Sequence, residues 1–441
     1  MTSQIIDCEA LIPSNYRDDV IDLSPLNTMA KGLGGSKILK IAGEIRAMQA
    51  AGRDVCNLTV GDFKPSQFRV PAELTAEITA ALERGETNYP PAVGLPETRE
   101  AVRNLYEREL GLNYPAESVI MGSGARPPIY ATFKLLVEPG DVVLFGLPSW
   151  NVGYYVHLAG ARAQGIPTRA ENDFLLDAGE IAANLNGVTL VVLNSPMNPC
   201  GTAFSADQLG RICDVILAEN NRRRAVGARP VMVLYDQVYW MLTFGETKHH
   251  TPISLRPEMA PYTIFVDAIS KSFAATGLRV GWGVVPPPLA NAYKALIGHM
   301  GAWAPRPEQI ATAALLNNPE AITRYHSTMK TDCETRLRTL HDGFEAMAAR
   351  GLPVKSMAPQ GAIYLSVNFP IHGRHCDGKA LRTDEDIRFF LLDKAGFGIV
   401  PFGAFGVPGD LGWMRLSIGA VSVAEIEAGL IRIADALEKL T

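Results

Sequence analysis

Between about residue 75 and residue 320, short β-rich apolar runs alternate with stretches of helical period, and no other feature narrows the fold of this chain as much. The runs are Val119-Ile120-Met121, Val142-Val143-Leu144-Phe145, Leu190-Val191-Val192-Leu193, Val231-Met232-Val233-Leu234-Tyr235, Ile264-Phe265-Val266 and Trp282-Gly283-Val284-Val285. Most are near-continuous in apolar residues, as strands of a parallel sheet buried on both faces must be. The expected class is α/β. At 441 residues the chain is long enough for two domains. Beyond residue 320 the texture changes to a long helical stretch over 320–350, a mixed segment with Ile363-Tyr364-Leu365-Ser366-Val367, and a closing helix over 424–440. These read as a second, smaller α+β domain.

The segments directly after these runs point to function. Gly122-Ser123-Gly124-Ala125-Arg126 comes after the first, Pro148-Ser149-Trp150 after the second and Asn194-Ser195-Pro196-Met197-Asn198-Pro199 after the third. Asp236 comes after the fourth and Lys271 after the fifth. Ligands of open α/β sheets sit beyond the carboxyl ends of the strands, so these segments are expected to converge on one crevice.

Lys271 is the most informative of them. A buried amine beside other cationic groups loses its proton readily and becomes a nucleophile toward an aldehyde. Arg279, in the turn Gly277-Leu278-Arg279-Val280-Gly281, offers a planar fork to an anion. One covalent hook and one phosphate clamp describe a pocket for pyridoxal 5'-phosphate. Asp236 ends a strand that is otherwise apolar; a carboxylate there either faces a positive or protonated partner or caps a following helix. The Gly122–Arg126 loop reads as the entry to a helix whose free N–H groups favour a phosphate. Pro127 and Pro128 carry no N–H, so the donors must be Ala125, Arg126 or earlier residues.

Composition narrows the partners. The formal charge of −5 leaves no basic footprint for nucleic acid, and Arg222-Arg223-Arg224, the one basic cluster, reads as a solvated loop. The six cysteines are scattered without a C-x-x-C pair or a metal-ligand spacing, which suggests a reducing, cytoplasmic setting. His249-His250 reads as an exposed loop pair rather than a metal site. The first thirty residues carry acidic and basic side chains with no apolar signal core, and no apolar run is long enough to span a bilayer. Neither export nor a membrane is expected. Those thirty residues read as an arm over a dimer partner or as partly disordered chain.

The run Asp267-Ala268-Ile269-Ser270-Lys271-Ser272-Phe273-Ala274-Ala275-Thr276-Gly277-Leu278-Arg279-Val280-Gly281 resembles the lysine signature of the class I/II pyridoxal-phosphate aminotransferases, which share the fold type I of the aspartate aminotransferase family. Ala268 departs from it, standing where the family usually carries Ser or Gly, so the phosphate cup is expected to have one donor fewer. Six further segments match in the family's order, and the resemblance covers about residues 36–440. It implies a mostly parallel seven-stranded sheet in a large domain over 71–319. It also implies a small domain from 1–70 and 320–441, with the helix over 36–51 and an N-terminal arm.

The resemblance assigns roles residue by residue. Lys271 holds the cofactor and shuttles a proton from the substrate's Cα, while Asp236 keeps the pyridine nitrogen protonated. Tyr239 and Asn198 hydrogen-bond the phenolic oxygen. For Tyr239, aromatic core packing is the competing reading, and for the Asn194–Gly201 run, a Pro-rich turn; there Cys200 replaces the usual Thr. Trp150 stacks on the ring, and Gly124, Ala125, Arg126, Ser270 and Arg279 surround the phosphate. Tyr89, in Asn88-Tyr89-Pro90-Pro91-Ala92-Val93-Gly94-Leu95-Pro96, reaches the phosphate of the neighbouring subunit, which makes the active unit a homodimer. Arg415, in Trp413-Met414-Arg415-Leu416-Ser417, forks onto the substrate's α-carboxylate. Gly61 belongs to a segment that closes over substrate, or is a simple turn glycine; Asn198, Trp150 and Arg126 also border the substrate.

The implied reaction is ping-pong transfer of an amino group from an L-amino acid to a 2-oxoacid. An acidic donor, aspartate or glutamate, is suggested by Arg126, which stands where some bacterial relatives carry a Lys for the distal carboxylate; the alternative is a local ion pair. Trp303-Ala304-Pro305-Arg306 points instead to aromatic or other substrates, with Arg306 as a second carboxylate partner. A lyase of the C–S or cyclopropane-forming type, or an oxygen-using enzyme, would use the same Lys, Asp and Arg. The non-catalytic rival is a ligand-binding module of a transcription regulator, for which the chain lacks a basic segment.

Overall fold

Among the described residues the main sheet has seven strands, six of which run in one direction. The computed structural model describes residues 25–441, so the expectation for the first thirty residues falls almost wholly outside them. By its contacts the chain divides into Met1–Gly35 and Ser36–Thr441. In the first unit Asn27 caps the short helix Thr28–Lys31, its side chain accepting from Ala30 N at 2.8 Å.

The second unit carries the main sheet: β1 (Val119–Ser123), β2 (Val142–Leu147), β3 (Arg162–Pro167), β4 (Val188–Asn194), β5 (Met232–Asp236), β6 (Thr263–Ala268) and β7 (Val280–Val284). Their spatial order is β1-β7-β6-β5-β4-β2-β3. Only β7 is antiparallel to its neighbours. The apolar runs located six of these strands. β3 escaped because it is an edge strand, Arg-Ala-Gln-Gly-Ile-Pro, with no buried residue and hence no apolar run.

Helices flank the sheet and the segment beyond it. They include α1 (Lys37–Ala50), α2 (Arg126–Leu136), α3 (Ala206–Ala225), α4 (Pro319–Ala349) and α5 (Val423–Glu438). Capping boxes start two of them: Ser205 with Gln208 at α3, and Ser422 with Glu425 at α5. The basic cluster is corrected here. Arg222, Arg223 and Arg224 form the last turn of α3, and Arg223 is buried, donating to the carbonyls of Val188 and Leu185. Its guanidinium satisfies carbonyls at the C-cap of the helix Ala178–Asn184 and at the start of β4, a use that a charge count cannot reveal.

A second, antiparallel sheet comes next, with β8 (Lys355–Ser356), β9 (Tyr364–Asn368), β10 (Val400–Pro401) and β11 (Trp413–Ser417) in the order β10-β11-β9-β8. It shares a hydrophobic core with Leu337, Leu340 and Phe344 of α4 and with Ile426 and Ile433 of α5. Leu58 and Phe63, from the stretch before α2, join this core, and Tyr239 reaches it from beyond β5. The stretch holding Gly61 is thereby fixed to the second sheet while facing the carboxyl end of the first.

Candidate functional site

β6 ends at Ala268, and Lys271 sits on the single helical turn Ile269–Ser272 directly after it. Its Nζ donates to the carbonyl oxygen of Gly61 at 2.6 Å. Burial lowers its pKa to about 8; Asp62 opposes that shift, while Arg415, Arg279 and Arg126 add to it. An amine in this state carries a useful unprotonated fraction near neutral pH.

Asp236 closes β5, and burial raises its carboxyl to about 6. No helix comes after it, so the capping alternative falls; instead Oδ1 accepts from Val238 N at 3.2 Å within a turn. The neighbouring strand end is tied to it, since Asn194 Nδ2 donates to the Asp236 carbonyl at 2.9 Å. Asn194 Oδ1 in turn accepts from Asn198 N at 2.7 Å, which sets the position of Asn198.

Arg415, on β11, is 1 % exposed. Its NH1 donates to Asn198 Oδ1 at 3.3 Å and its NH2 to the Thr59 carbonyl at 2.5 Å. With its oxygen turned to Arg415, Asn198 has its amide NH2 left as a donor. The guanidinium lies 4.8 Å from the Tyr364 ring centre and 4.9 Å from that of Phe405, and Nε is buried without a partner among the described residues. A buried, unpaired N–H on a cation is a site prepared for an anion.

At the other end, Gly124 and Arg279 approach closely. A Cβ on Gly124, whose φ is +84°, would lie 2.3 Å from Arg279 NH2, so only glycine is accommodated. Arg279 donates to the carbonyls of Thr276 at 2.6 Å and Ser123 at 3.0 Å, which aims it at the loop heading α2. The N–H groups of Ala125 and Arg126 begin that helix. Ser270 is buried beside Lys271, and the exposed Arg126 guanidinium lies 5.0 Å from the Trp150 ring centre.

Tyr239 Oη and Tyr364 Oη are 2.6 Å apart. Tyr364, Asp62 and Phe405 had no signal in the sequence. Tyr364 sits in an apolar run that reads as plain strand, and Asp62 and Phe405 in loops of ordinary composition. Only position relative to Lys271 and Arg415 marks them.

Other expectations are corrected or set apart. Arg306 is not a free carboxylate partner, because its Nε pairs with Glu86 at 2.6 Å. Arg126 makes no ion pair among the described residues, and its guanidinium rests against Trp150 instead. His249 is not exposed: its ring lies against Tyr235 and Trp240, and burial lowers its pKa to about 3. Cys200 is buried with its thiol pKa well above the ordinary range, so a lost hydroxyl rather than a new nucleophile describes the replacement. Tyr89 stands outside the cluster, 83 % exposed, its ring edge-on to Trp303 at 5.7 Å. Among the described residues no group of three or more His, Cys, Asp or Glu is placed to hold a metal ion, and no helix is long and apolar enough to cross a membrane.

The donor set fits pyridoxal 5'-phosphate. Arg279 and the head of α2 could hold its phosphate, the carboxyl of Asp236 a basic ring nitrogen and the amine of Lys271 an aldehyde, and the unpaired Nε of Arg415 would suit a carboxylate.

Comparison with known proteins agrees. Residues 53–433 match the family described as aminotransferase class I and II. A probable aspartate/prephenate aminotransferase of Rhizobium leguminosarum bv. phaseoli is 30 % identical over 377 residues, 84 % of this chain and 89 % of the relative. An aspartate aminotransferase of Rhizobium meliloti (strain 1021) is 30 % identical over 93 % of this chain and 95 % of its own length. The crystal structure of the aspartate aminotransferase from Rhizobium meliloti superposes with a TM-score of 0.85 at 28 % identity, covering 94 % of this chain and 99 % of that one.

Proposed function

The chain belongs to the class I and II aminotransferases, and from that membership we propose that it uses pyridoxal 5'-phosphate, held by the residues gathered around Lys271, to move an amino group from aspartate or glutamate to a 2-oxoacid. The observation that carries the reading is the Lys271 amine, its pKa lowered to about 8, among three arginines and opposite the Gly61 carbonyl. Names of the relatives support the acidic donor.

When bound, the cofactor supplies an aldehyde to take the amino group and a ring that withdraws electrons from the substrate's Cα. Asp236 holds a proton at the ring nitrogen, its own burial relieved by that cation. Tyr239 and Asn198 donate to the phenolic oxygen, and Trp150 covers the ring face. Arg279, Ser270, Gly124, Ala125 and Arg126 hold the phosphate, completed by Tyr89 of the second copy in a homodimer. Arg415 grips the α-carboxylate bidentately and so orients the Cα–H bond toward Lys271. Lys271 then takes that proton as a general base and returns it as a general acid. In this reading residues 71–319 form the cofactor domain, 36–70 and 320–441 form the small domain, and the protein works in the cytoplasm.

The test is the absorption spectrum of the purified protein before and after L-glutamate or L-aspartate, with no oxoacid present. Conversion of the lysine-bound cofactor band to that of the aminated cofactor is the expected result. A band that persists would turn attention to other donors and to release of pyruvate, ammonia or peroxide. Absence of any cofactor band would overturn the assignment of Lys271.

A further inference from the structure

Tyr364 is 1 % exposed at the start of β9, and its hydroxyl is aimed into the site. Three elements meet at this side chain. Tyr239 Oη lies 2.6 Å away, with the two rings edge to face at 5.5 Å. The Arg415 guanidinium rests 4.8 Å from the centre of the same ring. A Cβ on Gly61 would lie 2.6 Å from the Tyr364 oxygen, so the segment whose carbonyl accepts from Lys271 passes directly over it.

We propose that Tyr364 is a positioning residue that donates its hydroxyl proton to Tyr239, so that Tyr239 in turn donates outward to the cofactor's phenolic oxygen, while the Tyr364 ring face holds Arg415 for the substrate carboxylate. It rests on the pyridoxal-phosphate aminotransferase reading and extends it to a residue which that reading leaves without a role.

The direction of the hydrogen bond comes from counting protons. Each hydroxyl has one hydrogen, and burial pushes both phenols up, so both stay protonated. If Tyr239 spent its hydrogen on Tyr364, it would have none for the cofactor. With Tyr364 as donor, the two bonds run head to tail and polarise each other, which makes Tyr239 a stronger donor than an isolated phenol. The ring packs on Arg415 through its face, so the hydroxyl and the face of one side chain serve the two ends of the reacting group. Binding of a carboxylate at Arg415 is thereby linked to the phenolic oxygen through a single rigid ring.

Tyr364→Phe removes only the hydroxyl and tests this directly. A donor on the phenolic oxygen stabilises its negative charge, so weakening that donor raises the pH midpoint of the absorbance change of the Lys271-bound cofactor. The expected rise is about 0.3–1 pH unit, the effect of weakening one buried hydrogen bond. Tyr239→Phe moves the midpoint further the same way, and in a Tyr239→Phe background the second change at Tyr364 adds nothing. An unchanged midpoint in Tyr364→Phe, or full additivity of the two changes, would overturn the proposal. Should Tyr364→Phe fail to fold, Tyr239→Phe still decides, since an unchanged midpoint there breaks the relay at its second link. A wild-type protein that binds no pyridoxal phosphate would refute the functional reading instead, so the two failures are distinct.

Discussion

The amine of Lys271 and the carbonyl oxygen of Gly61, separated by 210 positions in the chain, lie 2.6 Å apart. The segment from Thr59 to Phe63 serves both ends of the site. The Thr59 carbonyl accepts from Arg415, and Asp62 Oδ1 accepts from Thr276 Oγ1 at 2.5 Å on the loop behind Lys271. Movement of this segment is felt at once by the amine and by the guanidinium.

That contact makes Gly61 sensitive to the smallest substitution. In Gly61→Ala the new methyl meets the Tyr364 hydroxyl at 2.6 Å, and the ring is buried and bonded to Tyr239, so the 59–63 segment must yield. The rate of the amino-donor half-reaction is expected to fall about tenfold or more, with a destabilisation of about 1–3 kcal/mol. Stopped-flow absorbance and a melting curve on the same preparation check it; a variant with wild-type rates would show that the segment is free to move aside.

Asp236 gives a pH dependence of stability with a definite sign. Its folded pKa of about 6 is above the ordinary value of 3.8, so between those values the folded cofactor-free protein binds more protons than the unfolded chain. This group's contribution therefore falls as pH rises from about 4 to about 6 and is constant above, by about 1–3 kcal/mol in total. Asp236→Asn abolishes the slope and melts higher than the wild type at pH 7 when both lack cofactor. Loaded with cofactor, the same variant is expected to run the half-reaction about 100-fold or more slowly, because the ring nitrogen loses its partner. Denaturant titrations at pH 4, 6 and 8 would expose an error of sign.

Arg415→Lys keeps a positive charge but loses the fork to Asn198 and Thr59 and the flat contact with Tyr364 and Phe405. The value of kcat/KM is expected to drop by about 100-fold or more for every amino acid tried, while the resting spectrum of the bound cofactor shifts less than in Tyr239→Phe, because Arg415 reaches the cofactor only through Asn198 and Tyr364. A resting spectrum shifted as far as in Tyr239→Phe with kcat/KM retained would mean that Arg415 serves the cofactor rather than the substrate.

Arg126→Ala separates the acidic-donor reading from a purely phosphate-holding one. Loss of a distal carboxylate partner lowers kcat/KM for aspartate about tenfold relative to an apolar amino acid. Equal losses for both donors would assign Arg126 to the phosphate alone.

Residue order alone specifies the sheet's central strands, the succession of loops beyond them, and the Lys271, Asp236, Asn198 and Arg415 motifs. Buried parallel strands must be apolar throughout, and the motifs are local in the chain, so both leave a mark that needs no partner to be read. The rest required the folded chain. Tyr364 meets Tyr239 across 125 positions, Arg306 pairs with Glu86 across 220, and Arg223, counted as a solvated charge, is buried against carbonyls 35 and 38 positions away. Periodicity reports which face of an element is buried and not which distant side chain it will face. The edge strand β3, the hydroxyl pair in the site and the true partners of the arginines are therefore set only by tertiary contacts.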